Sequence, residues 1–211
     1  MARSTREAIL TAAAELMRRK GYGAVGMKDI VAASGAPIGS LYHHFPGGKL
    51  QIARQALVNA GTAYGLLIPT LMDPHDDLGQ AVTAAFDQAA EDMAATGFAN
   101  MCPVASVAAE TADTEEELRL AAAAVFTGWL EGGTAYFVSR GLDNLAARNV
   151  TVILIAALEG AFVLARTLRN VEPLRTAGRA LGPQYRGVAL ARSPAHAGVG
   201  VSLREPVAGT G

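Results

Sequence analysis

Residues Met27–Lys49 read MKDIVAASGAPIGSLYHHFPGGK. Two short helical patterns, Met27–Ser34 and Ile38–Phe45, meet at the Gly35-Ala36-Pro37 turn, the arrangement of a helix-turn-helix. In the first, Ile30 and Val31 face inward. In the second, Leu41 and Phe45 lie four apart, so they share a face that would anchor the helix to its neighbours. The opposite face carries Gly39, Ser40, Tyr42, His43 and His44. Small side chains at its N-terminal end would let this helix sit deep in a major groove, with Tyr42, the His pair and Lys49 reaching phosphates on either side. The same periodicity would also suit a helical hairpin in some other α protein. Neighbouring helical residues point about 100° apart, so His43 and His44 make a poor chelating pair; no metal is expected.

Charge around this stretch is uneven. The 211-residue chain has a net charge of -1 and a mean hydropathy of +0.24, with 51% hydrophobic and 18% charged residues. Soluble domains average about 25% charged, so a disordered, charge-rich chain is excluded. So is a protein that binds nucleic acid through bulk positive charge. Residues 1–54 hold Arg3, Arg6, Arg18, Arg19, Lys20, Lys28, Lys49 and Arg54 against Glu7, Glu15 and Asp29, a net of +5, and the remainder carries -6. A basic end on an acidic body suggests that one end meets a polyanion and the other does not.

Further out, the chain reads as helix until about residue 182, with no alternating β-branched runs to support strands. Ser4 and Glu7 have capping-box spacing before a stripe of Ile9, Ala12, Ala13, Leu16 and Met17. Further helices are expected over about Lys49–Leu67, stopping at Pro69, and over Leu78–Ala95. Another runs from Pro103 to Thr111. The next reaches Arg140 from a second capping box at Thr114 and Glu117. The last two cover Val150–Arg169 and about Pro173–Leu181. This gives an all-α fold of about nine helices. A helix-turn-helix DNA-binding domain would cover 1–48, a helical ligand-binding and dimerisation domain 49–182, and a mobile tail 183–211.

No apolar segment follows the first residues as a signal peptide would have. The run Val150–Ala165 is shorter than the roughly 20 residues that span a bilayer and holds Glu159, so a cytoplasmic protein without membrane contact is expected. That run is apolar nearly all round, which suggests burial on two sides. A homodimer through the helices Val150–Arg169 and Pro173–Leu181 would supply the second side. Glu159 and Arg166 are its polar exceptions; each lines a pocket or faces a partner subunit.

Phe86, Met93, Phe126, Trp129, Phe137 and Phe162, with Tyr136, recur at helical spacing. Taken singly they suit a core. As a set they suit the walls of a small-molecule site, since such sites are mostly apolar with few polar groups; Cys102 and Arg166 complete the candidate ligand-binding set. Cys102 stands before Pro103, where a helix N-terminus lowers a thiol pKa. It reads either as a redox sensor or as a small buried residue shaping a turn. A single Cys excludes an internal disulfide and a Cys-built zinc site. No phosphate loop, nucleophile set or metal spacing is present, so neither an enzyme nor a cofactor is expected.

The run Met27–Lys49, with the preceding RRKGYGAVG of residues 18–26, resembles the DNA-binding signature of the tetracycline-repressor (TetR) family over about residues 3–55. Cys102-Pro103-Val104, Phe126 with Trp129, Glu159-Gly160-Ala161, Ala165-Arg166 and Glu172-Pro173-Leu174 resemble its LmrA/YxaF-like branch. The resemblance implies that Ile38, Gly39 and Ser40 face bases, and that Tyr42, His43 and neighbouring His44 lie at the DNA. Lys49 would contact phosphate, as would Arg3 and Thr5 in the N-terminal arm; Lys28, at the start of the first short helix, joins this DNA-binding set. It implies a repressor on a palindromic double-stranded DNA operator, released by a small hydrophobic or aromatic effector. The alternative is a protein-interaction module with a vestigial DNA-binding head. Gly26 stands where the family usually has Thr or Ser, so phosphate contact there would come from backbone. Ile38 stands where many members are polar and would offer a thymine methyl apolar contact.

Overall fold

The computed structural model describes residues 4–99 and 101–191. Among them run α1 (Thr5–Lys20), α2 (Met27–Ser34), α3 (Ile38–His44), α4 (Gly48–Gly65), α5 (Leu67–Met72), α6 (Leu78–Ala95), α7 (Pro103–Thr111), α8 (Glu116–Ser139), α9 (Asn144–Leu168) and α10 (Glu172–Leu181), then a 3-10 turn at Gly182–Tyr185. The all-helical architecture expected from the sequence is present.

Local chemistry explains most boundaries. Ser4 Oγ accepts the Glu7 N–H at 3.3 Å while Glu7 Oε2 accepts the Ser4 N–H at 3.0 Å, a complete capping box. Gly35 takes the left-handed conformation, φ 66°, that turns α2 into α3. Four boundaries differ from the sequence reading. Pro69 does not end a helix: the chain breaks at Leu66, and Pro69 lies in the first turn of α5, where a missing N–H costs nothing. The Thr114–Glu117 capping box does not form; the Thr111 carbonyl accepts the N–H groups of Thr114 and Glu115, so Glu115 becomes the N-cap of α8. Helix α9 begins at Asn144 rather than Val150, because Asp143 caps it by accepting the Ala146 N–H at 2.9 Å. Residues 183–191 are not free of the body. The Leu78 N–H donates to Val188 O and the Leu190 N–H to Asp76 O, and Leu190 is buried. The rest of the expected tail, 192–211, lies outside the described residues.

Two apolar clusters fill the interior. One joins α1, α2 and α3 to α4, α7 and the start of α8, through residues such as Ile9, Leu41, Phe45, Ile52, Val104 and Leu118. The other lies among α6, α8, α9 and α10, through Phe86, Met93, Phe137, Leu154 and Leu174. The head is thus packed continuously onto the helices behind it. Beside the second cluster sits Arg140, only 1% exposed. It pairs with Asp73, donates to the Tyr136 hydroxyl at 2.6 Å, and its carbonyl accepts the Ala191 N–H. This one side chain ties the segment after α5 to the end of α8, and its backbone holds the C-terminal strap.

Helix α9 is long and apolar enough to cross a membrane by length and composition, and only 28% of its most apolar window is buried within one copy. Its outward face carries Leu145, Val152, Ile153, Val163, Leu164 and Leu168, with Leu168 63% exposed. The neighbouring face of α8 exposes Leu120 and Val138. The outward face of α10 is charged, with Glu172 paired to Arg179. Much of the exposed apolar surface therefore belongs to α9, with part on α8, and α10 offers little of it.

Candidate DNA interface and effector site

Helix α3 holds its position through Leu41 and Phe45, both fully buried. Phe45 is also covered from α1 by the Arg6 guanidinium, 5.5 Å above its ring. This fixes what points outward. Ile38 is 49% and Tyr42 53% exposed, unusual for large side chains on a packed helix; Gly39 and His43 are exposed and Ser40 half-buried. His44 is only half-buried too, edge-on to Phe45 at 6.4 Å, so it packs on the head as much as it faces out. Thr5 and Lys28 are exposed in the first turns of α1 and α2. Arg3 lies outside the described residues.

Two features of the head were not legible as spacing. Gly26 has no capping side chain, and Asp29 Oδ2 instead accepts its N–H at 2.8 Å, which keeps half of a capping box. Lys49 leans over the Tyr22 ring at 4.1 Å and donates to Gly23 O at 3.4 Å, so it staples the α1–α2 loop to the start of α4.

The candidate ligand residues divide. Phe86, Met93 and Phe137 are sealed, at 0% exposure, in the second cluster, with half-buried Phe162 packed against it. Cys102, Phe126 and Trp129 gather elsewhere, against the first cluster. Trp129 lies edge-on to Phe126 at 5.4 Å and stacks on Tyr64 of α4 at 6.2 Å. Its indole N–H donates to Gly61 O at 2.7 Å. Gly61 admits this contact: a Cβ there would lie 2.5 Å from Val125 Cγ1, so α4 and α8 approach as closely as they do only because the side chain is missing. Burial pushes the Tyr64 hydroxyl up to about 12, with the nearby Cys102 adding to the rise. Burial, then the Glu159 carboxyl, pushes the Cys102 thiol up, against the direction a reactive thiol needs. Cys102 Sγ accepts the Ala105 N–H at 3.3 Å, which is the turn-shaping role. Burial likewise raises Glu159, although the Cys102 thiol hydrogen-bonds to it.

Arg166 reaches back to α1. Its guanidinium donates to Arg18 O at 3.2 Å and Arg19 O at 2.7 Å, at the C-terminal end of α1, where a helix dipole favours a cation. Glu110 of α7 completes a clamp by accepting the Tyr22 and Gly23 N–H groups, each at 2.6 Å. Sequence reasoning missed Glu110, since an exposed Glu late in a helix carries no signal of its own. It also missed Tyr64, whose partners come from other helices.

Comparison with known proteins matches this arrangement. The family profile "Bacterial regulatory proteins, tetR family" covers residues 9–56, and that of "Transcriptional regulator LmrA/YxaF-like, C-terminal domain" covers residues 79–180. The HTH-type transcriptional regulator YxaF of Bacillus subtilis is 33% identical over 170 residues, 81% of this chain and 89% of that one. The chain belongs to the TetR family. The HTH-type regulator LmrA of the same organism is 32% identical over 170 residues, 81% of this chain and 90% of its own. A TetR transcriptional regulator from Legionella pneumophila shares the fold at a TM-score of 0.73, covering 88% of this chain and 99% of that one at 19% identity. This TetR-family regulator therefore carries a DNA-binding domain, matched over residues 9–56. It is no enzyme: family and relatives alike are transcriptional regulators.

Proposed function

We propose that this regulator is a repressor that binds a palindromic operator as a homodimer and is released by a small hydrophobic or aromatic effector. In this reading residues 1–48 form the DNA-reading head, and residues 49–182 the ligand-binding and dimerisation body. The observation that carries it is the outward face of α3. Ile38, Gly39, Tyr42 and His43 stand exposed on a helix whose other face is fully buried, at the end of the chain with a net charge of +5. Such a face has no stabilising work within the monomer. Ile38 would meet a thymine methyl, Gly39 would admit close approach, and Tyr42, His43, Thr5, Lys28 and Lys49 would hold phosphates. Lys49 would exchange its Gly23 carbonyl for a phosphate oxygen, or share it.

The dimer seam in this reading is α9 with α8, which both expose apolar side chains, rather than α9 with α10. A two-fold axis there would set the two α3 helices about 34–36 Å apart, one turn of DNA. The effector would enter among Tyr64, Cys102, Phe126 and Trp129, the half-buried aromatic group, since Phe86, Met93 and Phe137 already have their neighbours in the core. Two connections could carry its effect to the head. Helix α4 runs from the head to Tyr64, and Arg166 and Glu110 grip the end of α1 and the loop behind it. An effector acts only through its different affinity for the DNA-competent and incompetent arrangements.

Selection of an operator from random DNA by the full chain, followed by fluorescence anisotropy at several salt concentrations, tests the reading. A palindromic site bound with a steep salt dependence is expected. Failure to enrich any site, with salt-insensitive retention, would favour the protein-interaction module.

A further inference from the structure

Glu159 has no assigned role, yet its carboxyl lies close enough to act on Tyr64 of the aromatic group. It sits on α9, between α9 and the N-terminus of α7. Its Oε2 is buried and has no hydrogen-bond partner; the Cys102 thiol near the carboxyl is only a weak donor. Tyr64 of α4 lies near enough to feel both Cys102 and Glu159, and it stacks on Trp129, which in turn meets Phe126. Tyr64, Phe126, Trp129 and Glu159 are each half-buried, so none is sealed away.

A buried carboxyl oxygen without a partner carries a full desolvation cost, and native proteins leave few such atoms unexplained. Aromatic faces cannot satisfy it, because their quadrupoles present negative charge. What suits both at once is a cation: the ammonium meets the carboxylate, and the π faces of Tyr64, Phe126 and Trp129 hold the remaining positive surface and an apolar body. On the reading that the effector enters at this group, we infer that the effector is an aromatic or alkyl amine, recognised as its ammonium form by Glu159. A neutral alcohol would supply a donor to Oε2 but leave the buried charge uncompensated.

The geometry also supplies a route to DNA release. Glu159 and Arg166 stand seven residues apart on α9, so they share a face about 10 Å apart along the helix. Arg166 holds the end of α1. Arg18, the residue whose carbonyl it holds, donates its own guanidinium to Glu15 and to Ala99 O. Drawing Glu159 toward an ammonium would therefore load the helix that carries the head clamp.

The test uses the full chain and a matched series: 4-phenylbutylammonium, 4-phenylbutanol and 4-phenylbutyrate. Trp129 is the only tryptophan, so its fluorescence reports occupancy directly. The ammonium is expected to bind about tenfold or more tightly than the alcohol, one such factor being about 1.4 kcal/mol. The carboxylate is expected to bind worst. Glu159→Gln, nearly isosteric, is expected to erase the ammonium's advantage while leaving the alcohol's affinity in place. Ammonium affinity should rise with pH as Glu159 ionises. The other titratable or charged groups around it are Cys102 and Tyr64, with Glu15, Arg18 and Arg166 beyond, and Glu159→Gln should flatten the profile in the acid range. Equal binding of ammonium and alcohol, both moving Trp129, would overturn the inference and leave the effector site standing. So would an ammonium preference that survives Glu159→Gln. No response of Trp129 to any of the three would overturn both.

Discussion

Gly39→Ala separates the demands of the fold from those of DNA. Gly39 is the second residue of α3, and a Cβ built there meets no atom within 4 Å. Nothing inside the protein needs the glycine. Alanine in place of glycine inside a helix gains up to about 1 kcal/mol, and near a terminus about half of that. For a chain of this size such a gain raises Tm by about 1–2 °C. On the operator the sign reverses. If α3 enters a groove with Gly39 at its leading end, a methyl group there meets a closely packed surface, and overpacking of that kind costs about 1–3 kcal/mol. That is roughly a five- to 150-fold loss of affinity. The number of phosphates neutralised stays the same, so the slope of log affinity against log salt should not change. Thermal melting of the free protein and anisotropy on the selected operator measure the two effects in one preparation. Operator affinity unchanged in Gly39→Ala would refute close approach by this end of α3. A lower Tm would refute the claim that the glycine is free of structural duty.

Leu164→Glu should abolish dimerisation by placing a charge in the exposed apolar face of α9, with the monomer seen by light scattering; a persistent dimer would mean that the seam lies elsewhere. Arg140→Met removes the buried partner of Asp73 and of the Tyr136 hydroxyl and should cost about 3 kcal/mol in urea unfolding; an unchanged midpoint would make the pair dispensable. Glu110→Gln should lower stability by about 1 kcal/mol, since one of the charge-assisted hydrogen bonds from Tyr22 and Gly23 becomes neutral and the other is lost where the amide NH2 faces an N–H, and together with Arg166→Ala it should reduce effector-driven release measured by anisotropy. Burial raises Glu159 above the ordinary carboxyl range, so the native state holds its proton more tightly than the unfolded chain. The stability it contributes is present below that range and is lost as pH rises through the raised value. The stability of Glu159→Gln relative to the parent should therefore increase with pH and then level off.

The head was legible because each of its signals is local. The capping box of Ser4 and Glu7, the turn at Gly35 and the Leu41–Phe45 pair each act within one or two turns of chain, and each forms as the spacing demands. Two helix starts differ from the spacing because of a competing local bond. Asp143 captures the Ala146 N–H and starts α9 early, which a cap sought before an apolar run would have found. The Thr111 carbonyl captures the N–H groups of Thr114 and Glu115, and no side-chain spacing announces that. Residues 183–191 looked like a tail because Gly and Pro break periodicity, yet the backbone of Val188 and Leu190 pairs with the loop before α6.

The body shows why aromatic spacing alone does not locate a ligand. Phe86, Phe137, Phe126 and Trp129 all recur at helical intervals, and periodicity treats them alike. What divides them is burial against other helices, a tertiary property: the first two are sealed, and the other two remain reachable beside Tyr64. The polar residues of α9 divide in the same way. Glu159 and Arg166 share one face, seven residues apart, and the sequence offers the same two alternatives for both. Arg166 finds two backbone carbonyls at the end of α1 and is anchored within the chain. Glu159 keeps a buried oxygen with no partner. Arg166 thus has a structural explanation, whereas the unpartnered oxygen of Glu159, beside half-buried aromatic residues, is the place to look for what the protein binds.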